Sequence, residues 1–271
     1  MGIYLKGGWR SAVRQPFLLF ILFSYRLGWG FLLYTIVQSI VEPLLKRYPG
    51  KSISAAQDQL FWAESQFQLT KTNFIDSYVW LFFGLLIARM ILNPLLNAGI
   101  YYSLRQTHLH LGYRFFKGIR VLGASYFLLY GLQMLLTLGP LYWLFPLALQ
   151  VITKSLNYET AVRQLFPHLI GFLVYGYLLH LGFMYLQFGK AATRSLLTSI
   201  NAALRGSFTI LAISLLLIIT SLLIGLLALT MLWFWAGFWA FLLYQTLRLG
   251  QTFVDLWAVA SQHEIYVEKT R

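Results

Sequence analysis

The chain has 271 residues, of which 59% are hydrophobic, 18% aromatic and 11% charged, less than half the roughly 25% charge of a soluble globular domain. That composition excludes a soluble protein, and several long, near-continuous apolar stretches make bilayer-crossing helices the controlling expectation. The 21 Lys and Arg against 8 Asp and Glu give +13, but the bases sit at the ends of the apolar stretches, which points to anionic lipid and not to nucleic acid.

The sequence has no Cys, which removes disulfides, thiol nucleophiles, iron-sulfur clusters and thiolate zinc sites. The N-terminus carries Lys6, Arg10 and Arg14 ahead of an apolar run, but no small-residue cleavage site follows, so Pro16 to Val41 reads as a retained first span. Its 15 Leu, Ile, Phe and Val residues, at roughly −0.3 to −0.6 kcal/mol each, outweigh the roughly +3 kcal/mol of Arg26. A polar connection, Glu42 to Asp76, follows. Within it the stretch Ser52 to Leu69, with Ile53, Leu60, Phe61, Trp62 and Phe67 among Gln and Ser, reads as a helix lying on the outer surface or docking a neighbouring subunit.

The second span, Ser77 to Ser103, must carry Arg89, Asn93, Pro94 and Asn97, so its polar side is expected to face protein. A third span fits Val121 to Leu138 and another Phe166 to Phe188. Phe208 to Leu249 has no acid and one base, Arg248, over 42 residues; as one helix it would be about 63 Å long, twice the hydrocarbon core, so a fold-back is expected at Gly225 or between Thr230 and Gly237.

Pro140 to Thr153 is apolar but short. If it crossed, the loop carrying Lys190, Arg194 and Arg205 would face outward, against the positive-inside rule. The expectation is therefore an all-α polytopic membrane protein in one membrane domain. It has six spans, at about 16–41, 77–103, 121–139, 166–188, 208–228 and 230–249, and both termini inside. Pro140 to Thr153 becomes an outer-leaflet, re-entrant or half-length helix held by Tyr142 and Trp143.

The two basic inner connections share a layout. Over Leu104 to Arg120, Leu104, Leu111, Phe115 and Ile119 oppose His110, Arg114 and Lys117; later, Leu196, Leu197, Ile200 and Leu204 oppose Arg194, Thr198 and Arg205. Each reads as an amphipathic helix at the inner interface, placing Arg105, Arg114, Lys117 and Arg120, then Lys190, Arg194 and Arg205, among lipid headgroups. A shift of 85 residues sets Arg105 on Lys190, Leu111 on Leu196 and Ile119-Arg120 on Leu204-Arg205, which suggests an internal repeat of span, interfacial helix, span.

Several of these residues also carry a resemblance. The Gln-rich segment Ser52 to Gln68, the run Asn-Pro-Leu-Leu-Asn-Ala-Gly from Asn93 to Gly99, Gly123-Ala-Ser125, and Lys190-Ala-Ala-Thr-Arg-Ser195 leading into Asn201 make the chain similar to the bacterial six-span inner-membrane proteins of the YciC type. Those are distantly similar to the membrane domain of some glycerophosphodiester phosphodiesterases. The resemblance implies a bacterial cytoplasmic membrane and a six-helix bundle, with no catalytic residues to carry over. Pro140 to Leu165 is extra relative to that family.

No catalytic constellation emerges. His-Glu-x-x-His, Gly-x-Ser-x-Gly and nucleotide-binding glycine patterns are absent from the sequence, and the carboxylates lie at span ends or outside spans. An enzyme, a metal and a cofactor are therefore not expected. His108 and His110 read as a solvated pair facing headgroups. His168, His180, Gln133 and Gln187 read as helix–helix hydrogen-bonding groups, and the aromatic run including Trp233, Trp235 and Trp239 as an interfacial belt or partner-facing surface.

Arg26 and Arg89 lie about 15 and 18 Å into their helices, near mid-bilayer. Either they clamp an anion or lipid phosphate together with Asn93 and Asn97, or Arg26 snorkels while Arg89 bonds carbonyls freed by Pro94 or the amides of Asn93 and Asn97. Two functions follow: a non-catalytic membrane scaffold or accessory subunit with a protein partner or a second copy of itself, or a small carrier handling lipids or anions through these arginines.

Overall fold

The computed structural model describes residues 1–47, 74–154, 158–234 and 238–270. Those residues are helical, with no strand among them. In chain order the helices are α1 (Gly2–Val13), α2 (Pro16–Arg47), α3 (Phe74–Arg105), α4 (Leu111–Leu138), α5 (Leu141–Lys154), α6 (Tyr158–Ala191), α7 (Leu196–Phe234) and α8 (Phe238–Lys269). The expected surface helix at Ser52 to Leu69 lies outside the described residues, as do the side chains of the aromatic run from Trp233 to Phe241.

Five stretches among the described residues are long and apolar enough to cross a membrane: Pro16–Ser39, Val79–Arg105, Leu111–Lys154, Glu159–Ala191 and Leu196–Thr230. The first three bury only 6% of their most apolar window and the last two 22%. An apolar helix that keeps most of its surface unburied needs an apolar solvent, which a bilayer supplies. The protein is therefore an all-helical, multi-pass membrane protein. The sixth expected span, 230–249, falls largely on residues whose side chains are not described.

Two expectations about helix boundaries change. The amphipathic stretches are not separate interfacial helices: α4 runs unbroken from Leu111 and α7 from Leu196 into their spans. A turn interrupts the first stretch before Leu111, but nothing after Leu111 or after Leu196 breaks the helix, and the internal glycines are packing positions. A Cβ on Gly118 would stand 2.6 Å from Tyr102 Cβ, and one on Gly206 3.2 Å from Ile210 Cδ1. The fold-back in the long apolar run is also not at Gly225, which lies inside α7. The long apolar run is instead divided between α7, which ends at Phe234, and α8, which begins at Phe238.

The chain divides into two compact units, Met1–Leu19 with Pro94–Arg271, and Phe20–Asn93. In the larger unit the core sits at one end. Tyr101, Tyr126, Tyr185, Phe188 and Tyr266 are at most 3% exposed, with ring centroids of 4.7 Å for Tyr101–Phe188 and 5.8 Å for Tyr185–Phe188. Their hydroxyls are satisfied where burial demands it. Tyr126 Oη donates to the Gln187 carbonyl at 2.7 Å, and Tyr185 Oη to Gln262 Oε1 at 2.9 Å. Gln262 Nε2 in turn donates to Ser214 Oγ at 2.8 Å and the Ile210 carbonyl at 3.1 Å. This ties α6, α7 and α8 together by polar contacts that lipid cannot replace.

The N-terminal helix joins the same end. Gly8 lets α1 approach the backbone of α8, where an added Cβ would stand 2.7 Å from both Ser261 Cα and N. Trp257 Nε1 donates to the Leu5 carbonyl at 2.9 Å, and Trp9 meets Phe253 and Trp257 edge-on at 4.7 and 5.1 Å. Two arginines close the helix ends: Arg105 donates to the Ala191 carbonyl at the end of α6, and Arg194 to the Thr270 carbonyl just beyond α8, cations placed where helix carbonyls are unpaired. Residues 1–15, 104–114, 190–199 and 261–270 therefore gather at one end of this unit.

Candidate functional site

That gathering encloses a basic cleft of about 930 Å³. Arg10, Ser11, Arg14 and Gln15 line it from the N-terminal helix and its exit, Leu104, residues 107–112 and Arg114 from the α3–α4 turn and its flanks, and Glu264 from α8. Glu264 is the sole acid among the described lining residues, against Arg10, Arg14 and Arg114.

Local sequence explains each placement. Gly7 gives room to α8, since a Cβ there would stand 3.3 Å from Glu264 Cγ, and Arg10 and Arg14 follow at one and two turns along the same face. Pro16 begins α2, where its missing N–H costs nothing. The Gln15 carbonyl accepts the amides of Leu18 and Leu19 at 3.1 and 3.3 Å, which fixes Gln15 at the helix junction. On the other side, His110 precedes α4 and its carbonyl accepts the Arg114 amide at 3.0 Å. The first amides of α4, at Leu111 and Gly112, therefore border the cleft without helical partners.

The decisive feature is what is unpaired. Gln15 is 1% and Arg114 3% exposed, yet Gln15 Oε1 and Arg114 Nε have no hydrogen-bond partner. Buried polar atoms are almost always paired, so both are costly in the fold. A cleft lined by three arginines and bordered by the first amides of α4 is complementary to an oxyanion.

The other expected site residues fall elsewhere. Arg105 and Arg194 border a smaller cavity of about 260 Å³ with His263 and Tyr266, both engaged in closing helix ends. Lys117 lies 5.5 Å from the Tyr113 ring centroid, while Arg120, Lys190 and Arg205 are exposed. In the unit Phe20–Asn93, Tyr25 Oη donates to Asn93 Oδ1 at 2.7 Å. Arg26 is half-buried and not free. Arg89 is exposed and makes no hydrogen bond or ion pair among the described residues, so the expected bond from Arg89 to freed carbonyls or to Asn93 and Asn97 does not form. Asn97 is half-buried in the larger unit.

Of the histidines, His180 Nδ1 lies 3.3 Å from Gln133 Nε2 across helices, as expected. His168 bonds instead within its own helix, to the Gln164 carbonyl at 3.1 Å, and turns its ring toward Trp143. His108 and His110 are exposed on the wall of the cleft, in a turn that interrupts the expected Leu104–Arg120 helix. Arg10, Arg14, Gln15 and Glu264 were missed as site residues. The four-residue spacing of Lys6, Arg10 and Arg14 was the available signal; for Gln15 and Glu264 none existed.

His263 is half-buried with its ring edge-on to Phe188 at 5.4 Å. Burial, and then the Arg105 charge, hold its pKa down to about 4. Because the folded value lies below the unfolded one of about 6.5, the unfolded chain takes up this proton first. The contribution to stability is complete above about pH 6.5 and is lost as pH falls through about 4. Thermal unfolding in detergent should show a midpoint that declines across this window. His263→Gln should flatten the decline, and an unchanged slope in that variant would contradict the assignment.

No family model matches the chain, and neither a curated protein nor a solved structure does.

Proposed function

We propose that this is a non-catalytic multi-pass protein of the bacterial cytoplasmic membrane that grips a phosphate-bearing anion in its basic cleft, at the inner face. The observation that carries this reading is the convergence of Arg10, Arg14 and Arg114 on one cleft whose sole acid among the described lining residues is Glu264. The cleft replaces Arg26 and Arg89 as the anion-handling site.

Chain parity supports six spans with both termini inside. The chain leaves the cleft end at Gln15 and returns at Leu104, leaves at Arg114 and returns at Ala191, and leaves at Leu196 to return with α8. Each excursion needs an even number of crossings, so α5, at 14 residues or about 21 Å, is a half-length helix and not a span. The cleft's positive charge then faces the anion-rich leaflet. That α4 and α7 begin at residues 111 and 196, related by the 85-residue shift, supports the internal repeat.

An accessory-subunit role keeps one specific support. Arg89 is exposed within the span Val79–Arg105, and a lone cation toward hydrocarbon is costly enough to favour a partner that covers it.

The absence of native Cys makes Thr107→Cys, on the wall of the cleft, a clean probe. A membrane-impermeant maleimide should react with it from the cytoplasmic side alone, and more slowly in vesicles containing anionic phospholipid than in pure phosphatidylcholine. Reaction from the outer side, or equal rates in both lipids, would overturn the reading.

A further inference from the structure

A second cavity, of about 380 Å³, lies inside the larger unit between α6, α7 and α8. The contacts that flank it fix its depth. On one side Gln251 Nε2 donates to the Ser221 carbonyl at 3.4 Å, and on the other Gln262 Nε2 donates to Ser214 Oγ at 2.8 Å. Asp255, one turn past Gln251 on α8, therefore stands level with Leu217 and Ile218 of α7, which line the same cavity. That level is about 15 Å along the helix from Phe208, where the uninterrupted apolar run begins, and inside Leu196–Thr230, the most apolar of the five membrane-crossing stretches. In the sequence Asp255 falls beyond the last expected span; the antiparallel pairing of α8 with α7 carries it to membrane depth. An ionisable side chain there is expensive and by default marks a ligand or ion site.

The walls decide the sign and character of the ligand. Asp255 is half-buried and borders the cavity, and no Lys or Arg is among the described lining residues. Asp255 is not without a partner, but a carboxylate accepts at about four lone-pair sites and keeps capacity for a cation. His180, also on the wall, is no counter-ion. Gln133 Nε2 can only donate, so His180 Nδ1, 3.3 Å away, accepts and the ring is neutral. The remaining walls are mostly apolar, and Ile218 and Leu222, both exposed within the span, open the cavity toward lipid.

We propose that this cavity binds an organic monocation carried on an apolar body, entering from the bilayer, with the Asp255 carboxylate as its counter-ion. An anion would meet Asp255 as a like charge, and a neutral guest would leave the carboxylate uncompensated in low-dielectric surroundings. A metal ion needs a shell of oxygens that these walls do not supply. The volume equals roughly a dozen waters of about 30 Å³ each, which suits an amine or quaternary ammonium of about that many non-hydrogen atoms. The proposal is independent of the basic cleft.

Equilibrium dialysis of the full chain in non-ionic detergent against radiolabelled octyltrimethylammonium, a cation of that size, reads the site. Saturable binding above that of protein-free micelles is expected, with excess octanol and sodium ion displacing it poorly. Asp255→Asn, nearly isosteric, should weaken binding by about tenfold to a hundredfold, the worth of one charge-assisted contact, while Asp255→Glu should retain most of it. Ala258→Phe, on the half-buried wall of the cavity, leaves the carboxylate in place but takes up the space, and should abolish saturable binding. Octanol or sodium ion displacing the probe as well as unlabelled cation does would overturn the proposal. So would undiminished binding in Asp255→Asn or Ala258→Phe, or no saturable binding at all. The octanol and sodium comparisons use the unaltered chain and decide even where a variant fails to fold.

Discussion

Arg114→Met should weaken anionic headgroup binding by tenfold to a hundredfold while leaving the ligand-free protein at least as stable in detergent. The two halves of this result have one cause. Arg114 is 3% exposed with Nε unpartnered, so in the empty cleft it carries a desolvation cost that an apolar side chain of similar length relieves. With a phosphate present, the same guanidinium forms a charge-assisted hydrogen bond worth about 1.5–3 kcal/mol, which is the predicted loss of affinity. A purely structural arginine gives the opposite pattern, lower thermal stability with little change in lipid affinity. Measuring the unfolding midpoint and the lipid affinity on one preparation decides between them.

Gly8→Ala should cost about 1–3 kcal/mol of stability, although alanine is the better helix former by about 1 kcal/mol. The added Cβ would stand 2.7 Å from Ser261 Cα and N, backbone atoms that cannot turn aside, so α1 must lift from α8. Arg10 and Arg14 ride on that helix and its exit, so anionic lipid affinity should fall as well, even though Gly8 does not line the cleft. Gly2→Ala, on the same helix with nothing within 4 Å of its Cβ, is the matched control and should be neutral or slightly stabilising. Thermal unfolding of the three proteins side by side checks the sign; equal midpoints for Gly8→Ala and the parent would show that α1 is not held by this approach.

The spans were legible because an uninterrupted apolar run of sufficient length has one stable environment, whatever it packs against. The short helix Leu141–Lys154 was legible as a 14-residue apolar run set apart from the span before it. The separation of interfacial helices from spans was not, because an amphipathic turn and the first turns of a tilted span share one periodicity, and only a breaker would part them. Gly118 and Gly206 both lie inside continuous helices.

The site was legible only in its charge. The basic residues between spans were visible, and Arg114 was among them, but what singles it out is burial without a partner, a tertiary property. Arg10 and Arg14 read as topological signals at the N-terminus. Their role in the cleft depends on α1 lying against α8, fixed by contacts such as Trp257 to Leu5 across 252 residues of chain. Glu264, in a short mixed-charge tail, had no pattern around it. In the sequence Arg26 and Arg89 stand out instead, since charges at membrane depth are the conspicuous anomaly in an apolar chain. The more informative anomaly lay at the membrane's edge, where cations are expected and an unpaired buried one is not.

An experimental structure of the full chain in nanodiscs containing phosphatidylglycerol tests the account most directly. It should show a phosphate in the cleft within hydrogen-bond distance of the Arg114 guanidinium, on the side of the bilayer shared by both termini. A cleft filled by solvent alone, with Arg114 bonded to a protein carbonyl, would contradict it.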